Sequence, residues 1–126
     1  MTSSYDPTNI FARILQADIP CRKVYEDEFA LAFHDVNPKA PVHILVIPKG
    51  PYVSFLDFTK KAPVSLQAGF WAAVEKVATQ EQLQLHEKGF RLISNCGRDG
   101  GQEVPHFHVH LLGGQPLGPF LVEANR

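Results

Sequence analysis

Three histidines stand on alternate positions near the C-terminal end, in His106-Phe107-His108-Val109-His110, and the run stays apolar through Leu111 and Leu112 until Gly113-Gly114. Successive side chains of a strand point to opposite faces. An extended backbone would therefore set His106, His108 and His110 in one row and Phe107, Val109 and Leu111 on the reverse side. On a helix, positions two apart diverge around the cylinder, and only the outer pair would share a face. The alternation demands a strand with one face toward a core and a row of imidazoles on the other.

The elements around it follow from local pattern. Ile10, Phe11, Ile14 and Leu15 have helical spacing within Asn9 to Ala17, with Pro20 as terminator. Cys21 to Tyr25 and Phe29 to His34 read as short strands joined by the charged turn Glu26-Asp27-Glu28, a hairpin. Asp35 to Pro41 is a loop with two prolines, and it leads into His43-Ile44-Leu45-Val46-Ile47, a central strand buried on both faces and stopped by Pro48. The main helix is expected from about Pro63 to about Gln84, with Leu66, Phe70, Ala73, Val74 and Val77 in one stripe. Phe90 to Asn95 is a further strand, and Cys96 to Glu103 a polar, glycine-rich loop before the histidines. The order implies a single α+β domain spanning residues 1–126. Its antiparallel sheet of about five strands runs in meander-like succession, with a main helix and a short N-terminal helix packed to one side.

Composition narrows the function. The chain has 126 residues, 44% of them hydrophobic, enough for one domain with a substantial core. Its 12 Lys and Arg nearly balance 13 Asp and Glu, with no basic cluster, so neither nucleic acid nor a membrane surface is the expected partner. The N-terminal residues lack the basic start and apolar centre of a signal peptide, and no apolar run approaches membrane-spanning length, so a cytoplasmic setting is expected. Cys21 and Cys96 are too few for a disulfide framework; free thiols are the default and one disulfide stays open.

Three readings compete for the histidine row. One is accident on a half-exposed strand, a fair account of one histidine but a poor one of three. Another is a metal site, with two imidazoles of a His-x-His pair completed by a third ligand such as Cys96 or Asp35. The third is nucleophilic catalysis by a neutral imidazole whose neighbours hold its tautomer and offset charge. Phosphorus suits this last reading. Gly97, Gly100 and Gly101 can turn backbone N–H groups toward phosphate oxygens, and Asn95 and Gln102 add amide donors at either end of that loop.

The run from Gln102 to Gly114 resembles the His-φ-His-φ-His-φ-φ signature of the histidine triad (HIT) superfamily. The likeness extends to Ile10-Phe11 with Ile19-Pro20, to Ala32 through Pro38, and to Ala40 through Lys49. Gly-Gly after the triad is similar to the Hint branch of nucleotide-binding phosphoramidases. The resemblance implies the HIT-like fold and a purine nucleoside phosphoramidase cleaving P–N or related bonds, with no cofactor and no metal. His108 matches the nucleophile that forms a nucleotidyl-histidine. His106 and His110 match residues that hydrogen-bond and polarise the phosphate, and His43 a fourth histidine supporting the triad. Asp35 matches the carboxylate that accepts both ribose hydroxyls, and Ile19, Phe33, His34 and Val36 would line the base pocket. Asn95, Gly101, Gln102, Glu103 and Val104 complete the expected substrate-binding set. Simpler roles exist for some of these: Ile19 and Phe33 suit a core, and Asp35 before Asn37-Pro38 suits a turn.

Glu103 departs from the Ser or Thr of many relatives and resembles bacterial members; an ionised carboxylate there would point outward or select cationic amine leaving groups. The N-terminal Cys-x-x-Cys of some relatives is missing, so their structural zinc is not expected. The Hint branch implies a homodimer, with Phe70, Trp71 and Phe90 as candidate interface residues. Gln115 to Leu121, punctuated by Pro116 and Pro119, is expected to be an extended tail that shapes leaving-group specificity. Two rivals stay open: a non-catalytic nucleotide-binding module that acts through a partner, and a zinc-binding protein.

Overall fold

The hairpin turn shows how closely local sequence sets this architecture. Asp27 accepts the backbone N–H groups of Phe29 (2.8 Å) and Ala30 (3.0 Å) on one carboxylate oxygen, which folds β1 (Lys23–Glu26) back on β2 (Ala30–His34). The computed structural model describes residues 4–121. Among these, β1 and β2 join β3 (Val42–Pro48), β4 (Arg91–Ile93) and β5 (Val109–Gly113) in one antiparallel sheet of order β1-β2-β3-β5-β4. The α+β class and the five strands are as expected from the sequence. The simple meander is not, because β5 enters between β3 and β4 and places the histidine strand beside His43.

β3 is the buried centre, and its two faces define two cores. Ile44 and Val46 join Phe58, Phe70, Ala73, Val74, Val77, Phe107, Val109 and Leu111 on one side. Leu45 and Ile47 join Leu31, Phe33 and Phe11 on the other. The first side carries the main helix, α3 (Val64–Gln80), and α2 (Phe55–Lys61); the second carries α1 (Ile10–Leu15). The helices thus cover both faces of the sheet and not one side alone. Phe58, Phe70 and Phe107 meet at ring-centroid distances of 4.8 to 5.3 Å, and such pairs add about 0.5–1.5 kcal/mol each beyond their burial. Phe70 is fully buried in this cluster and so is core, which leaves Trp71 and Phe90 as the exposed members of the expected interface set.

Strands β1 and β4 are Lys23–Glu26 and Arg91–Ile93 where Cys21 to Tyr25 and Phe90 to Asn95 are expected, and three further differences have clear causes. α3 ends at Gln80, short of Gln84, because Gln82 takes a left-handed conformation (φ 58°) and Leu83 N–H bonds back to the Ala78 carbonyl, turning Leu83 into the core. α2 falls in a stretch to which the sequence reading assigned no element; Ser54 caps it by accepting the Asp57 N–H. Regular pairing of β5 begins at Val109, not His106. Before it, Phe107 N–H donates to the Tyr52 carbonyl (2.7 Å) and His106 N–H to that of Val104 (2.9 Å), so this stretch is tied to the β3–α2 connection and to its own turn. The alternation survives: Phe107, Val109 and Leu111 enter the α3-side core, while the three imidazoles face α1. Cys21 and Cys96 are free thiols. Among the described residues the tail after β5 forms neither helix nor strand, and its Gly118 carbonyl accepts from Arg91 (2.9 Å).

Candidate active site

On the α1 side of the sheet a cavity of about 410 Å³ opens between β3, β5, the end of β4, the loop after β2 and the glycine-rich loop. Its walls include His43, His108 and His110, with Asp35, Lys39, Glu103, Phe11 and Asn95 around them. Register explains the convergence. His43 pairs with Leu112 and Leu45 with His110, so His43 and His110 are diagonal neighbours on one face, with rings 5.2 Å apart. His108 follows two residues before His110 on the same face, 5.1 Å ring to ring, and the Phe11 ring meets it edge-on at 5.0 Å.

Backbone groups fix the tautomer of each imidazole in turn. The Lys39 N–H donates to His43 Nδ1 (3.0 Å), so the His43 proton sits on Nε2, where it donates to His110 Nδ1 (2.9 Å). His110 accepts there, and its own proton is therefore on Nε2. His108 Nδ1 lies 2.7 Å from the His106 carbonyl, which can only accept, so His108 is protonated at Nδ1 and keeps its lone pair on Nε2. Ser94 Oγ donates to the His108 carbonyl (3.0 Å) and steadies the same residue from β4's end. The cavity is left with one imidazole lone pair, on His108, beside one imidazole donor, on His110. That pairing of a nucleophile with an anion-facing N–H is what displacement at phosphorus requires.

Burial keeps the row neutral. It pushes His108 and His43 below the ordinary histidine value, and it pushes His110 down to about 4, assisted by the neighbouring histidines His108 and His43. His106, fully buried, is likewise driven to about 4 by burial. The unfolded chain, with histidines near 6.5, binds more protons than the folded one as pH falls from about 6.5 to about 4. Stability from these groups is thus complete above about pH 6.5 and is lost progressively toward pH 4. His106 alone is expected to cost about 1.4 kcal/mol per pH unit across that window, with His110 acting in the same direction. Urea titrations between pH 7 and pH 4.5 measure this slope; a flat profile would show that the histidines are not held neutral.

The other expected site residues divide into those the fold brings together and those it does not. Asp35, Asn95, Gly101, Glu103 and Val104 line the cavity with the histidines. Asp35 serves both as turn-former and as pocket residue: Oδ1 accepts the Asn37 N–H (2.7 Å), and Oδ2 lies 3.5 Å from His43 Nε2. His106 does not line the cavity, since both its ring nitrogens are engaged behind the row. The expected base-pocket residues Ile19, Phe33, His34 and Val36 also stand outside the wall. Phe33 is core under Phe11, Ile19 and His34 are half-buried elsewhere, and Val36 is 90% exposed. In their place are Phe11, Asn37, Lys39, Leu45, Ile93 and Leu112, which the sequence reading did not single out.

The two amides at the ends of the glycine loop hold the loop itself. Asn95 Nδ2 donates to the Gly100 carbonyl (2.7 Å). Gln102 Nε2 donates to the carbonyls of Val53 (2.6 Å) and Val104 (3.0 Å) while its Oε1 accepts the Gly97 N–H (3.1 Å). Gln102 is a clamp on the cavity wall and is absent from the lining. Gly100 permits the fold of the loop, since a Cβ there would come within 2.4 Å of the Cys96 carbonyl oxygen.

Asp35, His43 and His110 bring three ligand-type atoms within 4.8 Å of one another, the grouping a zinc reading needs. The His43 tautomer opposes it. Nε2, the atom offered to a cation, carries the proton as long as the Lys39 N–H occupies Nδ1. Moving that proton to Nδ1 would set two donors against each other, so this donor set does not fit a resident metal.

Comparison with known proteins agrees with the geometry. The HIT domain model matches residues 16–117. An uncharacterized HIT-like protein of Azospirillum brasilense is 53% identical over 123 residues, covering 98% of this chain and 99% of that one. A purine nucleoside phosphoramidase of Escherichia coli (strain K12) is 45% identical over 112 residues, covering 89% and 92%. A solved HIT family hydrolase from Legionella pneumophila shares the fold at a TM-score of 0.77 and 40% identity, covering 86% of this chain and 98% of that one. The matched stretch takes in all five strands, His43 and the three alternating histidines, and on these grounds the chain belongs to the HIT domain family.

Proposed function

We propose that the protein is a hydrolase of purine nucleoside phosphoramidates, working without a metal through a nucleotide covalently held on His108. The observation that carries this reading is the set of backbone-fixed tautomers that leaves His108 Nε2 unprotonated and His110 Nε2–H pointing the other way in proton terms within one cavity. His108 Nε2 attacks the α-phosphorus, an N–P bond forms and the substrate's P–N bond breaks. The departing amine takes a proton from water at the pocket mouth, where Glu103 is exposed. The His108 ring becomes cationic, and the His106 carbonyl on Nδ1–H stabilises that charge, while His110 Nε2–H meets the phosphoryl oxygens. A second water then displaces His108, its proton passing to the hydroxide left when the amine was protonated; the N–P bond breaks, the ring returns to neutral and the nucleoside monophosphate is released.

Asp35 presents an oxygen to the cavity for ribose hydroxyls, and the purine preference follows the named activity of the Escherichia coli relative. We place the working form as a homodimer in the cytoplasm. Supporting the dimer are the three-residue edge strand β4 with half-exposed Leu92 and Phe90, and half-exposed Trp71 on α3. Turnover of a fluorogenic adenosine 5′-phosphoramidate, with and without chelator, tests the reading. Activity undiminished by chelator is the expected result. AMP binding without any turnover would favour the non-catalytic module instead.

A further inference from the structure

Tyr5 lies outside the stretch matched by the HIT model, residues 16–117, yet its phenol reaches the first histidine of the row. Its hydroxyl is 2.6 Å from His106 Nδ1, with the rings edge to face at 5.6 Å. His106 Nε2 lies 3.1 Å from the Pro48 carbonyl. A carbonyl only accepts, so the His106 proton is on Nε2, Nδ1 holds a lone pair, and Tyr5 is the donor. Burial raises the Tyr5 phenol above its ordinary value, so it keeps that proton. The same His106 supplies the carbonyl that orients His108.

We infer that Tyr5 is a positioning residue for the reaction: its hydroxyl pins the His106 ring in one neutral tautomer, and so holds the residue whose main chain aims the nucleophile. The titratable groups facing His106 are Tyr5 and His108, with Asp6 beside the phenol, and the Phe11 ring covers another side at 6.3 Å. Without the hydroxyl, Nδ1 is a buried lone pair with no donor; burial still holds the ring neutral, so the ring loses one of its two anchors and tilts on the other, the Pro48 carbonyl. The His106 carbonyl that holds the His108 Nδ1–H moves with the tilting ring, and the nucleophile loses its aim. His106 does not line the cavity, so the loss falls on kcat and spares KM.

This inference rests on the phosphoramidase reading for its kinetic half only. Tyr5→Phe and Tyr5→Leu, compared with the wild type between pH 5 and 8, give both halves: the imidazole nitrogen and carbon-bound proton resonances of His106, and kcat and KM on adenosine 5′-phosphoramidate. Wild-type His106 is expected to stay in the Nε2–H form throughout. In both variants the ring should stay neutral but its nitrogen resonances should shift and broaden as it loses the Tyr5 anchor, with kcat lowered roughly tenfold across the range and KM unchanged. A Tyr5→Phe protein with wild-type His106 resonances and wild-type kcat, only Tyr5→Leu being impaired, would reduce Tyr5 to packing and overturn the inference. If the wild type itself shows no turnover, the phosphoramidase reading falls. The His106 resonances of Tyr5→Phe then decide the pinning by themselves, and an unchanged ring overturns it.

Discussion

Alanine in place of His108 is expected to reduce phosphoramidate turnover by at least about 10⁴-fold while nucleotide binding persists, because under the proposed mechanism the lost nucleophile is not made good by its neighbours. The tautomer chain explains why no other histidine substitutes. His110 Nδ1 is occupied by His43, and its second nitrogen carries a proton. His43 is engaged at Nδ1 by a peptide N–H. His106 has both nitrogens engaged away from the cavity. His108 Nε2 is therefore the single imidazole lone pair among these four that opens on the cavity. The measurement is single-turnover kinetics beside calorimetric titration with AMP. Residual turnover above a few per cent of wild type would mean that another group attacks and that the assignment is wrong.

Substituting His110 by alanine is expected to lower kcat by about 10²-fold to 10³-fold with KM little changed, the pattern of an interaction made chiefly in the transition state. The Nε2–H of His110 is aimed by His43, which is aimed by the Lys39 amide, so the donor is in place before charge develops. His43 retains the Lys39 contact in the variant, so the tautomer of the surviving partner is preserved. Steady-state kinetics separate the outcomes: a rise in KM with kcat intact would make His110 a binding group for the ground state.

Much of this site is legible in the sequence, and the reasons are local. The period-two alternation from His106 to Leu111 sorted imidazoles from apolar residues correctly, because pleating acts residue by residue even where ladder pairing has not begun. The apolar run of β3 and the Asp27 turn were readable for the same reason. What escaped depends on contacts far apart in sequence. Tyr5 and His106 are 101 residues apart, and Gln102 and Val53 are 49 apart. No period or propensity encodes either pairing. Phe11 was read as part of an amphipathic helix, yet the face of the sheet that this helix covers is a tertiary choice, and it alone puts Phe11 against His108. α2 carried a signal, Ser54-x-x-Asp57, but seven residues are too few for a hydrophobic stripe to stand out. His34 and Val36 were carried over by likeness, and the chain turns after β2 in a way that leaves Val36 in solvent.

The proton arrangement in the cavity begins at the amide of Lys39 and is anchored behind His108 by the carbonyl of His106, and neither of these peptide groups has an ionisation in the range where proteins work. Sites oriented by a carboxylate lose their alignment when that acid is protonated or replaced. At position 39 the orienting group belongs to the main chain, so every residue type except proline delivers the same N–H, whereas the carbonyl at position 106 is held in place through its own imidazole and Tyr5. Which nitrogen of the site keeps a lone pair and which donates is thus written largely in the course of the backbone, and the side chain at position 39 can change without disturbing it.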